Sequence, residues 1–285
     1  MAVKLGILTP VLTLVPRGHA RWERDGTIDD VARIGEAADR LGYDHLTCSE
    51  HVAVPEDAVD VRGGRYWDPL ATFGFLAART QRIRFATDVL VLGYHHPMAI
   101  AKRYGTLDRV SNGRLVLGLG VGTLEEEFAL LDAPFDDRGP RADDALRALR
   151  VALSDREPTY HGEFYAFDGM VLDPTPVQEH VPFWIGGRSA RSLRRAVELG
   201  DGWCPFWLAP DKAATWLARH DLPADFEVVL QTDVPVDPVG APDEARAAAQ
   251  RLIDAGATAV SLRFVHHSVD HYIEQLEAMQ QLLRQ

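Results

Sequence analysis

The sequence predicts an α/β fold, a (β/α)₈ TIM barrel with insertions after strands 1, 2 and 4. Three observations carry this expectation. Short apolar runs with strand character alternate with helix-period patterns almost from end to end of the 285 residues, which implies parallel strands joined by right-handed crossovers. Eight such pairs can be counted. The runs are brief and rich in Val, Ile and Leu, as needed to fill a closed barrel with layers of side chains, and barrels of about 250 residues commonly form one domain. A single domain over 1–285 is therefore expected.

The first strand is read at 3–8, followed by the insertion "TPVLTLVPRGHARWERDG". Thr27 is placed to cap a helix whose apolar stripe is Ile28, Val31, Ile34, Ala38 and Leu41, with Gly42 as its stop. The second strand lies in "HLTCSEHVAVP" (45–55), before the polar loop "EDAVDVRGGRYW". Asp68 caps the next helix, with Pro69 in its first turn. A long third strand runs over 83–92, and a helix opens at Pro97 and ends at Ser111-Asn112-Gly113. Strand four is "RLVLGLGVG". Residues 123–154 hold one or two helices divided near Pro134, and "YHGEFYAFDGMVLDPTPV" reads as a hairpin insertion. The remaining strands are expected at 182–186, 203–207, 226–234 and 259–265, alternating with helices at 189–199, 210–219, 242–255 and one capped by Ser268.

Composition narrows the function. A formal charge of −12 disfavours nucleic-acid partners. No run of about 18 apolar residues is present to span a membrane, and "MAVKLGILTP" lacks the features of a signal peptide. A cytoplasmic protein acting on a small-molecule substrate is expected. Cys48 and Cys204, the two cysteines, stand in apolar strand contexts and read as buried free thiols.

Barrel enzymes build their sites at the C-terminal ends of the strands. Strand two ends in Ser49-Glu50-His51, an acid and an imidazole that are costly to bury without partners. "PFWIGGRSARSLRRA" (182–196) puts Gly186, Gly187, Arg188 and Ser189 at a strand-to-helix turn. Free amides there, the helix dipole and Arg191 suit a phosphate; a tight turn with a solvated basic face is an equal reading. In "LGLGVGTLEEEF" (117–128), Gly118, Gly120 and Gly122 do not form a dinucleotide fingerprint. Small residues suit a place where something flat presses on the backbone. Glu125, Glu126 and Glu127 read as solvated acids stabilising a helix start. The histidines show no metal-binding spacing, and neither a nucleophile elbow nor a Walker loop occurs. Trp22, Tyr66, Trp67, Tyr94, Phe206 and Trp207 are bulky candidates for lining a pocket for an apolar or flat substrate.

Taken together, "LGYDHLTCSEHV" (41–52), the stretch 82–128 with "LDRVSNGRL" at its centre, and "PFWIGGRSARSLRRAVELGDGW" (182–203) resemble the luciferase-like monooxygenase family. The likeness is strongest to its branch of coenzyme F420-dependent oxidoreductases. The resemblance implies a deazaflavin, with FMN as the alternative, lying in the mouth of the barrel. Its ring would stand over Asp88 and Val89, beside Ser49, Gly120 and Gly122, and its phosphate tail near Gly186, Gly187, Arg188 and Ser189. It also implies a non-prolyl cis peptide between Asp88 and Val89, a homodimer, and proton transfer by His51 or Glu50 while hydride moves to or from the ring. One departure is visible. Some dehydrogenase relatives carry a catalytic acid just after strand four, where this chain has Thr123, which puts oxidation of sugar-phosphate alcohols in doubt, and the resemblance offers Glu127 the family's structural role instead.

Overall fold

The computed structural model describes residues 3–16 and 18–284. Its strands are β1 (Lys4–Ile7), β2 (His45–Cys48), β3 in two pieces (Arg84–Thr87 and Leu90–Val91), β4 (Leu115–Gly120), β5 (Phe183–Gly186), β6 (Gly202–Cys204), β7 (Glu227–Gln231) and β8 (Ala259–Leu262). All pair in parallel, in the order β3-β2-β1-β8-β7-β6-β5-β4, and β3 pairs with β4 to close the barrel. The helices are α1 (Ile28–Leu41), α2 (Pro69–Ala77), α3 (Pro97–Ser111), α4 (Arg138–Ser154), α5 (Ala190–Leu199), α6 (Pro210–Leu217), α7 (Pro242–Asp254) and α8 (Val269–Arg284).

Local chemistry sets the ends of these elements. Thr27 and Asp30 form a reciprocal capping box, and Gly42 closes α1 at φ 83°. Asp68 Oδ1 accepts from the Ala71 amide 2.8 Å away, and Pro69 opens α2. Asn112 ends α3 at φ 58°. The Ser268 hydroxyl accepts from the His271 amide at the start of α8. The region 123–154 is two helices, Glu125–Leu130 and α4, and the hairpin pairs Tyr160–His161 with Ala166–Phe167. The loop after β2, read from sequence only as polar, contains short helical turns at Glu56–Ala58 and Val59–Arg62.

The barrel is packed rather than hollow. Ala86, Val116, Trp184, Cys204, Val229 and Ala259 fill its interior. Lower down, His45 lies between Asp44 Oδ2 at 2.9 Å and Ser261 Oγ at 2.8 Å. Gly6, paired with both His45 and Ser261, has no side chain because a Cβ there would meet the His45 ring at about 2.1 Å. An ion cluster closes the bottom: Lys4 and Arg84 bind Glu227 at 2.6 and 3.0 Å, and Arg84 also binds Asp44 at 2.6 Å. Access to the interior is thus left to the opposite end. Among the described residues, no helix is long and apolar enough to cross a membrane.

Candidate active site

The third strand does not run straight. The Asp88–Val89 peptide is cis, as the resemblance implied, and β3 is interrupted there. Neighbouring groups hold the break in place. Ser49 Oγ donates to the Asp88 carbonyl at 2.7 Å, and the Glu50 amide donates to the Val89 carbonyl at 3.3 Å. Glu50 is buried; its Oε2 accepts from the Val91 amide at 2.8 Å and its Oε1 lies 2.7 Å from His95 Nε2. Both carboxylate oxygens are therefore engaged, one with the strand at Val91 and the other with His95 beyond it.

Val89 occupies the mouth of the barrel. A Cβ on Gly120 would come 2.5 Å from Val89 Cγ2, and one on Gly186 would come 2.7 Å from Val89 Cγ1. The object pressing on these glycines is therefore the isopropyl group of Val89, which forms a small apolar floor. Gly122, at φ 80°, instead makes room for Phe128 and Val91. Below this floor the interior is closed, with a void of about 10 Å³ bordered by Thr47, Asp88, Gln231 and Ser261 among others. Replacing Gly186 with alanine should displace Val89 and lower unfolding stability by about 1–3 kcal/mol, the usual penalty for overpacking. Denaturant titration checks this; an unchanged midpoint would show that Val89 has room to move.

Asp88 points to the same floor, where its Oδ2 accepts from Gln231 Nε2 at 2.7 Å. Burial pushes its carboxyl up to about 6, against the lowering effects of Gln231 and Arg263. Between the ordinary value of 3.8 and about 6 the folded state holds more protons than the unfolded one, so stability falls as pH rises through that window. Asp88→Asn should therefore raise the unfolding midpoint at pH 8 and have little effect at pH 4. A loss of stability at pH 8 would contradict the assignment.

His51 lies half-buried at the rim. Its Nδ1 is 2.7 Å from Glu127 Oε2, and its ring packs edge-on against Tyr66 with centroids 4.5 Å apart. Glu127 is itself buried, unlike the solvated acid expected from the sequence; Glu125 and Glu126 are the exposed members of the trio. The explanation is its donor set. The Glu127 carboxylate accepts from the Val52 and Ala53 amides at 2.5 and 3.2 Å, the Tyr94 hydroxyl at 2.5 Å and His51. Burial opposes its ionisation, but the His51 and Tyr94 hydrogen bonds prevail and hold it below its ordinary value. An ionised Glu127 fixes the proton of neutral His51 on Nδ1 and leaves Nε2 as a proton acceptor. Glu127 thus positions the His51 ring at the rim.

At the end of β5, Gly187 has φ 104° and Ser189 caps α5 reciprocally with Ser192. Ser192 Oγ and Trp203 Nε1 both donate to the Gly187 carbonyl, fixing the turn. Arg188 is exposed, with its guanidinium 5.4 Å from the Phe206 ring centroid. The arrangement presents the first amides of α5 at the barrel mouth, as an anion site needs. Of the bulky candidates, Tyr66 meets His51 and Tyr94 meets Glu127, while Trp22 Nε1 donates to His266 Nδ1 at 2.9 Å. Thr123 is exposed and offers no carboxyl group. A cavity of about 720 Å³ lies on the outer rim between the starts of α1 and α2, lined by Ile28, Tyr66, Trp67 and Phe75 among others. Of its lining residues, Tyr66 packs against the His51 ring. Among the described residues, no group of three or more His, Cys, Asp or Glu is arranged to hold a metal. Cys48 and Cys204 are buried and unbonded to each other.

The sequence profile of the luciferase-like monooxygenase family matches residues 5–285. An F420-dependent glucose-6-phosphate dehydrogenase of Microbacterium testaceum is 29% identical over 178 residues, which cover 61% of this chain and 52% of that one. Two solved structures share the fold. A monooxygenase from Streptomyces bottropensis superposes with TM-score 0.80 at 20% identity, covering 99% of this chain and 98% of the other. An F420-dependent secondary alcohol dehydrogenase, solved with an F420-acetone adduct, gives 0.79 at 16% identity with both chains covered in full.

Proposed function

The chain belongs to the luciferase-like monooxygenase family, and from that membership we propose that it is an oxidoreductase moving a hydride between coenzyme F420 and a small organic substrate. One observation carries the reading: at the rim beside the Asp88–Val89 peptide, His51 is oriented through Nδ1 by a buried, ionised Glu127, leaving Nε2 to handle a proton. The F420-dependent relative supports the choice of cofactor.

The residues present fit a flat anionic cofactor. The Val89 isopropyl group offers an apolar seat beside Gly120 and Gly186. Gly187, Arg188, Ser189 and the first amides of α5 would hold its phosphate-bearing tail. Bound there, F420 would supply the hydride acceptor or donor. The rest falls to the chain. In the oxidative direction His51 Nε2 takes the hydroxyl proton of the substrate, and the resulting imidazolium is stabilised by Glu127 across 2.7 Å. In reduction the same proton is returned. Glu50 stays out of proton transfer because its carboxylate is taken up by the Val91 amide of the second piece of β3 and by His95 just beyond it. Thr123 stands in place of an acid just after strand four, and the Glu127 carboxylate four residues on is engaged with His51, Tyr94 and two backbone amides.

Separate anaerobic titrations with F420 and FMN test this reading. Saturable binding of F420 at one site per chain, followed by turnover without oxygen, is expected. Tight binding of FMN with no affinity for F420 would instead establish an oxygen-using flavin monooxygenase.

A further inference from the structure

We propose that the cup selects a substrate bearing a carboxylate, gripped by the guanidinium of Arg263 at the end of β8. This deepens the function proposed above by naming the class of substrate, and it rests on that reading for its location. Along β8, Ala259 packs in the barrel interior and the Ser261 hydroxyl meets His45 there. Successive side chains of a strand point to opposite faces, so Arg263, two residues beyond Ser261, extends into the mouth above them. Phe264 points the other way and packs against Tyr272 of α8.

Arg263 is half-buried, yet its guanidinium forms no hydrogen bond or ion pair with any described residue. Its backbone is fixed, with the amide donating to Thr232 Oγ1 at 3.2 Å. The insertion after β1 passes close by: a Cβ on Gly18 would come 3.2 Å from Arg263 Nη1. The acids acting on the guanidinium, Glu23 and Asp88, are both engaged elsewhere. Glu23 is buried and accepts from the Val11 and Ala20 amides at 2.8 and 2.6 Å, with His266 Nε2 at 3.5 Å. Asp88 is held by Gln231.

A guanidinium partly withdrawn from water, with its acid neighbours occupied, lacks the bidentate partner to which its planar fork is suited. A carboxylate supplies that partner with one negative charge. A phosphate would bring a second charge towards Glu23 and Asp88. Arg263 and His51 stand on the rim at the ends of β8 and β2, the two strands flanking β1. A substrate spanning the cup could thus be held at its acid end while its reacting carbon approaches His51.

The test compares benzoate with benzamide, which share a shape but not a charge, by calorimetric titration of the full chain at constant ionic strength and without cofactor. The unmodified protein should bind benzoate at least tenfold more tightly than benzamide, the scale of a charge-assisted bidentate pair. Arg263→Gln should bring the two within about twofold, Arg263→Lys should retain part of the preference, and His51→Gln should leave it intact. Equal binding of the two probes to the unmodified protein, or no binding of either, would overturn the proposal. So would a preference that survives Arg263→Gln or disappears in His51→Gln. Inorganic phosphate displacing benzoate at lower concentration than acetate would overturn the choice of carboxylate. Since no turnover is involved, a benzoate preference in a chain that ignores F420 would sink the F420 reading alone. F420 binding without that preference would sink the carboxylate alone.

Discussion

Glu127→Ala should be the most destabilising single substitution at the rim, costing on the order of 3–5 kcal/mol. The buried carboxylate receives hydrogen bonds from the Val52 and Ala53 amides, the Tyr94 hydroxyl and His51. Its removal leaves these donors facing a cavity, and an unsatisfied buried donor costs about 1–3 kcal/mol. Glu127→Gln keeps the shape and one acceptor oxygen but turns an amide NH₂ towards the other donors, so an intermediate loss is expected. The pH dependence carries a second signature. Because the folded carboxyl lies below its ordinary value of 4.5, the contribution is fully present above that value and is lost as pH falls through the lowered one. Chemical denaturation at several pH values would show the unmodified chain losing this stability in acid, and Glu127→Gln showing no such loss. A Glu127→Ala protein as stable as its parent would mean that water replaces the carboxylate without cost.

His51→Ala should leave the protein folded and reduce kcat by about 10²–10⁴-fold, the range for loss of a positioned general acid or base. The loss of stability should be near 1 kcal/mol, the net worth of one hydrogen bond, because Glu127 keeps its other three donors. Cofactor affinity should be nearly unchanged, since the floor at Val89 and the turn at Gly187 do not involve His51. Steady-state kinetics with an equilibrium cofactor titration separate the two effects. Loss of cofactor binding with an unaltered chemical step would recast His51 as a ligand of the cofactor.

Much of the barrel was legible because barrel strands and helices announce themselves locally. Thr27, Asp68, Gly42 and Asn112 act at the helix ends where their side chains and backbone freedom place them. The rim residues Ser49, Glu50 and His51 stand out in the sequence because polar groups closing an apolar strand demand an explanation. What stayed hidden depended on distant partners. Glu127 looked like one of three helix-start acids, and only the fold brings His51 and Tyr94 to it across 76 and 33 residues. Apolar residues on both sides of the cis peptide made β3 read as continuous, although its hydrogen bonding breaks there. Gly120 and Gly186 read in the sequence as places where a flat group or a ligand meets the backbone, whereas the group against them in the fold is the Val89 side chain. Arg263 went unnoticed within "SLRFVHH", since a lone arginine at a strand end carries no local signal.

A crystal structure of the chain with F420 bears most directly on the central claim that a redox cofactor is seated on Val89 and served by His51. The expected density places the deazaflavin ring against the Val89 isopropyl group, with His51 Nε2 facing the substrate side and the anionic tail at Gly187–Ser189. A ring bound elsewhere, such as in the groove between the starts of α1 and α2, or a barrel mouth filled by side chains from the β1 insertion, would contradict it.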